Sequence, residues 1–327
     1  MPRKSRFVLL FLAALAAPFA APLAAWSQAY PSRPVRVIVP FGPGAPDSVA
    51  RIVGQQVAAQ MGQSFVIDNR PGANGIIGND MVAKASPDGY TLLITSVSFA
   101  VNPSIQKNLP HDSLRDFVPV SNIADQEAMI LVVNPSLPAQ SVQELIAYAK
   151  RPGSRMAFAS IGIGNTTHLA GELFLKRAGF QATHIPYKGG GAAVAAVMSG
   201  EVQMMVVPTT QSINYIQAGK LRALAYTHPT RAALLPDVPT MKEAGVSGAE
   251  FQGGWFGMFA PAGAQAAIVS RLAAEIRAAL TNPQVKERLA ALGLRPIGST
   301  PEEFRQYVES EIRHYAEIVR LTGIQPQ

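Results

Sequence analysis

Five histidines, His111, His168, His184, His228 and His314, are the chain's candidate bases and metal ligands. No His-Glu-x-x-His string occurs and no two histidines stand four apart, so the spacing that turns two imidazoles on one helix face toward zinc is missing. A hydrolase serine would need a Gly-x-Ser-x-Gly elbow. The nearest string, Phe-Ala-Ser-Ile-Gly around Ser160, lacks the first glycine. The Lys-Gly-Gly-Gly run at 188–191 has the wrong order for a phosphate-cradling loop, and Gly162–Thr167 lacks the last glycine of a dinucleotide fingerprint. With no cysteine there is no thiolate nucleophile, no disulfide and no cysteine-held metal. A Ser/His/Asp set assembled in space stays open, because chain order does not constrain it.

What recurs is a different pattern: an apolar run, then Gly, Ser or Thr, then a helix start. It occurs at PFGPGAPD (40–47), TSVS (95–98), GIGNTTH (162–168) and PYKGGGA (186–192). Such turns offer unpaired backbone N–H groups at the positive end of a helix dipole, which suits a carboxylate or another anion. In open α/β sheets, ligands lie beyond the carboxyl ends of the strands. Each turn also has a plainer reading as an ordinary helix cap. Asp47 is expected to cap its helix, Arg51 to form a structural ion pair, and His168 to be a satisfied polar residue. Trp255 and Phe256 are expected to pack at a hinge or core. Tyr187 either bonds a ligand or closes a strand end.

The elements that must position these turns follow from hydrophobic spacing. VRVIVPF (35–41) reads as a buried strand, and 47–61 as a helix with Val49, Ile52, Val53 and Val57 on one face, stopped by Gly62. Strands at 64–69 and 90–96 flank a helix at 75–85. This β-α-β-α-β order predicts a parallel sheet covered on both faces. A second unit runs through strands at 129–136, 155–160, 183–187, 202–208 and 221–227, with helices at 141–150, 162–179, 192–200 and 210–218. Ser141/Glu144 and Thr240/Glu243 read as capping boxes. A returning strand at 251–263 precedes helices at 264–281, 283–292 and 301–320. No flexible linker separates the units. The expected fold class is α/β, with two doubly wound β/α lobes joined by a crossover hinge. The first lobe is placed at 30–131, the second at 132–249, and the return to the first lobe with the C-terminal helices at 250–327.

The 28 Lys plus Arg against 21 Asp plus Glu give a formal charge of +7. Arg3, Lys4 and Arg6 belong to a leader. Without them the balance is 25 against 21, or +4, scattered along the chain, so nucleic acid is not the expected partner. The basic n-region, the apolar run from Phe7 to about Ala17 and the small residues of Ser27-Gln28-Ala29 read as a secretory signal peptide over residues 1–29, cleaved near Ala29. Pro18 and Pro22 interrupt what would otherwise approach a membrane span. The mature chain is expected to be exported and, with a modest charge and no apolar repeat, monomeric.

At these strings the chain resembles the Bug-type extracytoplasmic solute receptors, the binding proteins of tripartite tricarboxylate transporters. The matching strings include YPSRPVRVIVPFGPG, VIDNRPGANGIIGNDMVAKASPDGYTLL, LVVNPSLPAQSVQELIAYAK, GNTTHLAGELF, HIPYKGGGAAV and AGKLRALAYTHPTRAALLPDVPTMKEAGV, and they run from Tyr30 almost to the C-terminus. The resemblance implies a periplasmic binding protein of the two-lobed, type II-like Venus flytrap kind. It implies reversible capture of a small mono- or dicarboxylate, with no catalysis, no metal and no cofactor. Partners would be integral membrane transporter subunits or, as an alternative, a membrane sensor; an exported α/β hydrolase is the remaining alternative. By resemblance, the first lobe would touch the ligand through Phe41, Gly42, Gly44, Ala45, Ser96 and Ser98. The second would use Asn165, Thr166, Thr167, Tyr187, Gly189 and Gly190, with Pro208 and Thr209 at the distal end. Two departures stand out. The first loop, Gly44-Ala45-Pro46-Asp47, is one residue shorter than is usual and lacks a second glycine, and Gln203 stands where the family often has Asp.

Overall fold

The computed structural model describes residues 30–232 and 234–326; the leader expected over 1–29 lies outside them. In chain order the first elements are β1 (Val35–Val39), α1 (Ala45–Met61), β2 (Phe65–Asn69), a 3-10 turn at Ala73–Gly75, α2 (Ile76–Ala83), β3 (Thr91–Ser96) and α3 (Ser98–Ile105). Then come β4 (Phe117–Val133), α4 (Val142–Ala149), β5 (Ala157–Ser160), α5 (Thr166–Ala178), β6 (Thr183–Pro186), α6 (Gly190–Ser199), β7 (Met204–Pro208), α7 (Thr209–Gln217) and β8 (Arg222–Tyr226). The chain closes with β9 (Gln252–Pro261), α8 (Ala266–Thr281), α9 (Pro283–Ala291), β10 (Leu294–Pro296) and α10 (Pro301–Thr322). Among the described residues no helix is long and apolar enough to cross a membrane.

β1 lies parallel between β2 and β3, and β3 pairs antiparallel with β9. Alternation divides the apolar side chains between the two faces of this sheet. Ile38 and Leu93 join one core cluster; Val37, Val39, Leu92 and Ile94 join another, with Val49, Val53 and Val57 of α1. Burial on both faces explains the near-continuous apolar runs.

β4 joins the lobes. Its residues 117–128 pair with β9, and residues 129–133 pair with β7 and β8 instead. One lobe therefore holds the order β2-β1-β3-β9-β4-β10, and the other β8-β4-β7-β5-β6. The second crossing is pinned by buried Thr227. Its Oγ1 accepts from Met129 N–H (2.9 Å) and donates to Phe251 O (2.7 Å). Helix α10 packs along α3, β4 and α5. The cluster beneath it holds Phe99 and Leu93 of one lobe together with Phe158 and Leu169 of the other.

Several expectations need correction. The strand expected at 129–136 begins at Phe117. Helix α3 starts at Ser98, where the TSVS turn (95–98) led a helix to be expected, but its run to Ile105 and the short β10 were not anticipated. Helix α3 contains Pro103, which has no N–H for the Phe99 carbonyl; Ser113 Oγ donates to that oxygen instead (3.2 Å). The Thr240/Glu243 pair makes both reciprocal bonds, yet no helix follows, since Gly245 turns the chain at φ 79° and Thr240 bridges to Tyr226. Asp47 does not cap α1. The cap is Gly44, and Pro46 occupies the first turn, where its fixed φ fits and its missing N–H costs nothing.

Candidate functional site

A cavity of about 270 Å³ lies between the lobes. The first lobe lines it with the loop Phe41–Pro46, with Asn74, and with Ser96, Val97 and Ser98. The hinge strands add Gln126 and Gly253–Phe256; the second lobe adds Ile161, Asn165, Thr166, Thr167, Pro208 and Gln211. None of these side chains is charged. Four helix N-termini meet there instead. Gly44, Val97, Asn165 and Pro208, the N-cap residues of α1, α3, α5 and α7, all line the cavity. Three of these caps lack a side-chain cap bond, so their first-turn N–H groups have no side chain serving them. Each helix start carries roughly half a positive charge. The wall thus offers the positive ends of four helix dipoles and no charged side chain.

The elements fix these turns with specific bonds. Asn69 Nδ2 donates to the Phe41 carbonyl (2.9 Å), and Arg51 donates to Asn69 Oδ1 (3.2 Å). Arg51 also pairs with Asp47 at 2.9 Å, as expected of it. Its hydrogen bond holds the Asp47 carboxyl below the usual carboxylate range. The negative charge at the mouth of α1 is thus matched. In the other lobe, Asn165 Oδ1 accepts from Thr167 N–H (3.1 Å) and from both threonine hydroxyls, and Thr167 Oγ1 accepts from Ile161 N–H (2.9 Å). Ser96 and Ser98 hydroxyls sit 3.4 Å apart. Trp255 is fully buried, and its Nε1 donates to Glu311 Oε2 at 3.2 Å. Trp255 and Phe256 both pack in the core and floor the cavity.

Behind the Gly162–Thr167 turn lies a histidine pair. Ser160 Oγ is 2.6 Å from His184 Nε2; His184 stacks on His168 with centroids 3.9 Å apart; His168 Nδ1 accepts from Gly164 N–H at 3.1 Å. Burial and then the neighbouring His168 push His184 down to about 4. A serine–histidine contact is what a hydrolase needs. Here, however, Ser160 is fully buried, is absent from the cavity wall, and is also bonded to Gly162 N–H and O. The arrangement fastens the turn.

Of the fourteen residues singled out from the sequence, ten share the cavity wall: Phe41, Gly42, Gly44, Ala45, Ser96, Ser98, Asn165, Thr166, Thr167 and Pro208. Tyr187, Gly189, Gly190 and Thr209 do not. The Tyr187 hydroxyl donates to Glu201 (2.8 Å), and its ring packs on a core cluster of the second lobe. The Gln211 amide lies over Gly190, 2.0 Å from where a β-carbon would sit. Thr209 Oγ1 donates to Ala128 O (3.3 Å) and lines an adjoining crevice with Thr210 and Gly293. Asn74, Gln126, Ile161 and Gln211 were missed as wall residues. The Gly-Ala-Asn-Gly loop and the polar Gln126 beside an apolar run were the available signals.

The receptor profile of the tripartite tricarboxylate transporter family matches residues 49–324. BugT of Bordetella pertussis is 39% identical over 327 residues, covering 99% of this chain and 98% of BugT. A protein of R. palustris, solved with adipate, superposes with a TM-score of 0.82 at 34% identity, over 91% of this chain and all 100% of that one. MatC of Rhodopseudomonas palustris, solved with bound malate, gives 0.78 at 30% identity, over 89% and 100%. The two-lobed fold and the end-to-end match lead to one conclusion: this chain belongs to the receptor family of the tripartite tricarboxylate transporters, the Bug-type periplasmic binding proteins.

Proposed function

We propose that the protein, exported with its leader removed near Ala29, captures a small mono- or dicarboxylate between its lobes and presents it to membrane transporter subunits. The observation that carries this reading is the convergence of four helix N-termini on a cavity with no charged side chain. Backbone N–H groups and hydroxyls solvate a carboxylate without a fixed cation, so binding stays reversible. The volume, just under the roughly 300–1,000 Å³ of drug-sized pockets, suits an acid of a few carbons. Relatives solved with adipate and malate support the class. The ten wall residues named above are the proposed contacts. Because they come from both lobes, the ligand stabilises the closed arrangement by its higher affinity for it, the only means by which a ligand drives closure. The sealed Ser160 weighs against hydrolysis.

The test is thermal melting of the chain from Tyr30 against small acids, each beside its amide. A ligand ~100-fold above Kd adds about 2.7 kcal/mol and shifts the melt visibly. A shift with an acid and none with its amide is expected. Equal shifts, or shifts with neutral compounds alone, would sink anion capture.

A further inference from the structure

Among the described residues, only two non-glycine residues hold positive φ, and they are consecutive: Ala73 (47°) and Asn74 (52°). Both belong to the turn that leads into α2. A non-glycine residue keeps left-handed backbone where its surroundings over-determine it, and such positions gather at ligand sites. Asn74 is held there from α3. Fully buried Asn102 donates through Nδ2 to the Asn74 carbonyl (3.2 Å) and accepts through Oδ1 from Asn74 Nδ2 (3.0 Å).

This two-bond clamp removes an ambiguity that usually attends an amide. The Asn74 carbonyl can only accept, so the nitrogen end of Asn102 must face it. That leaves the oxygen of Asn102 for the Asn74 side chain, which must offer its nitrogen. Asn74 Oδ1 is therefore the end left without a protein partner, on a residue of the cavity wall. The wall's other amides differ. Asn165 Oδ1 already takes three bonds, and no protein bond fixes which end of Gln126 or Gln211 faces the cavity. The helix N-termini and hydroxyls are donors that any carboxylate satisfies. Asn74 Oδ1 is an acceptor of fixed orientation, and a plain acid that displaces water from it leaves it unpaired. An acid bearing a hydroxyl or ammonium group does not. Sites built on such a polar group reject the analogue that lacks its partner.

Resting on the carboxylate reading above, we propose that Asn74 is a specificity-determining residue, selecting acids that carry a hydroxyl or ammonium donor over their unsubstituted parents. The residue sits where the lobes meet, with Nδ2 4.0 Å from a β-carbon built on Gly164 of the facing loop.

The test is calorimetric titration of the mature protein with malate against succinate, aspartate against succinate, and 2-hydroxyadipate against adipate, in wild type and in Asn74→Gly. Glycine adopts the observed φ without strain and keeps the backbone arm of the clamp, Asn102 Nδ2 to the residue-74 carbonyl, so the variant removes the side chain and its bond to Asn102 Oδ1 while the turn's φ stays accessible. The wild type is expected to favour the substituted acid in at least one pair by about 3- to 10-fold, the worth of one neutral hydrogen bond. In Asn74→Gly that ratio falls toward one. A wild-type ratio near one in every pair overturns the assignment, and so does a ratio that survives in Asn74→Gly. If no acid of any kind binds the wild type, the carboxylate reading itself falls, an outcome distinct from acids that bind without discrimination.

Discussion

Trp255 Nε1 reaches Glu311 Oε2 at 3.2 Å, joining the floor of the cavity to the middle of the C-terminal helix. Glu311 is 7% exposed. Burial pushes its carboxyl up to about 7, the Trp255 bond opposes that shift, and nearby Asp125 adds to it. The folded chain therefore holds a proton that the unfolded chain releases near its ordinary 4.5. Stability from this group is complete below about 4.5 and is lost as pH rises through 7, by up to about 3 kcal/mol. Glu311→Gln keeps an oxygen for Trp255 and cannot ionise. Its melting temperature should exceed that of wild type at pH 8 and match it near pH 5. Parallel melting curves across that range would refute the assignment.

His184 pulls the other way. Its folded value of about 4 lies below the ordinary 6.5. The unfolded chain takes up the proton first, so this stability is complete above 6.5 and is lost as pH falls toward 4. His168, stacked on it, accepts Gly164 N–H through Nδ1. Glu172, 3.6 Å from His168 Nε2, is the acidic group facing the pair. Melting wild type and His184→Gln between pH 7 and pH 4 checks this. Wild type should lose stability more steeply. Equal slopes would place the acid sensitivity elsewhere.

Arg51 does not line the cavity, yet its loss should alter affinity for an acid. It neutralises Asp47 within the first turn of α1, the helix whose start faces the cavity. Arg51→Ala leaves that carboxylate uncompensated beside an anionic ligand. Affinity for an acid should drop by roughly 3- to 10-fold at low salt and by less at high salt. Asp47→Asn/Arg51→Ala removes both charges and should recover most of the loss. If the double variant binds as weakly as the single one, the effect is loss of the Arg51–Asn69 bond that steadies the loop, and not charge.

The sheet strands were legible because burial on both faces leaves unbroken apolar runs such as Val35–Val39. The first half of β4 was not. It carries Pro119, Asp125 and Gln126, and it is a strand because β9 and β10, each more than a hundred residues away, pair with it. Pro119 is tolerated where the register shifts. The wall turns could be read from Gly, Ser and Thr at strand ends, since small residues and free N–H groups are a local property. Tyr187 shows the limit of that reading. It ends a strand beside a glycine loop, but its hydroxyl is taken by Glu201, and no spacing rule reveals that partner. Asn74 was hidden for a similar reason, since its clamp comes from Asn102 on a helix that Pro103 masks in the sequence.

Two glycines mark where the lobes touch. A β-carbon built on Gly164 would sit 2.1 Å from Ile105 Cδ1, and one on Gly293 would sit 2.0 Å from Thr210 Cγ2; each pair spans the two lobes on a flank of the cleft. Both glycines have positive φ, 72° and 66°, so alanine at either carries a backbone strain of about 1–2 kcal/mol whether the lobes are apart or together. The clash with the facing lobe exists only when they are together. Gly293→Ala should therefore weaken ligand binding beyond what its melting temperature implies, because apparent affinity scales with the fraction able to close. Trimming the opposing methyl separates the two effects. In Gly293→Ala/Thr210→Ser the strain stays and the clash goes, so affinity should return while the melting temperature does not. Gly164→Ala with Ile105→Val makes the same comparison on the other flank, with about 0.5–1.5 kcal/mol of stability lost to the smaller side chain. Titration of all four variants with one acid decides it: unchanged affinity in both alanine variants would mean that the ligand is held without the lobes meeting at these flanks.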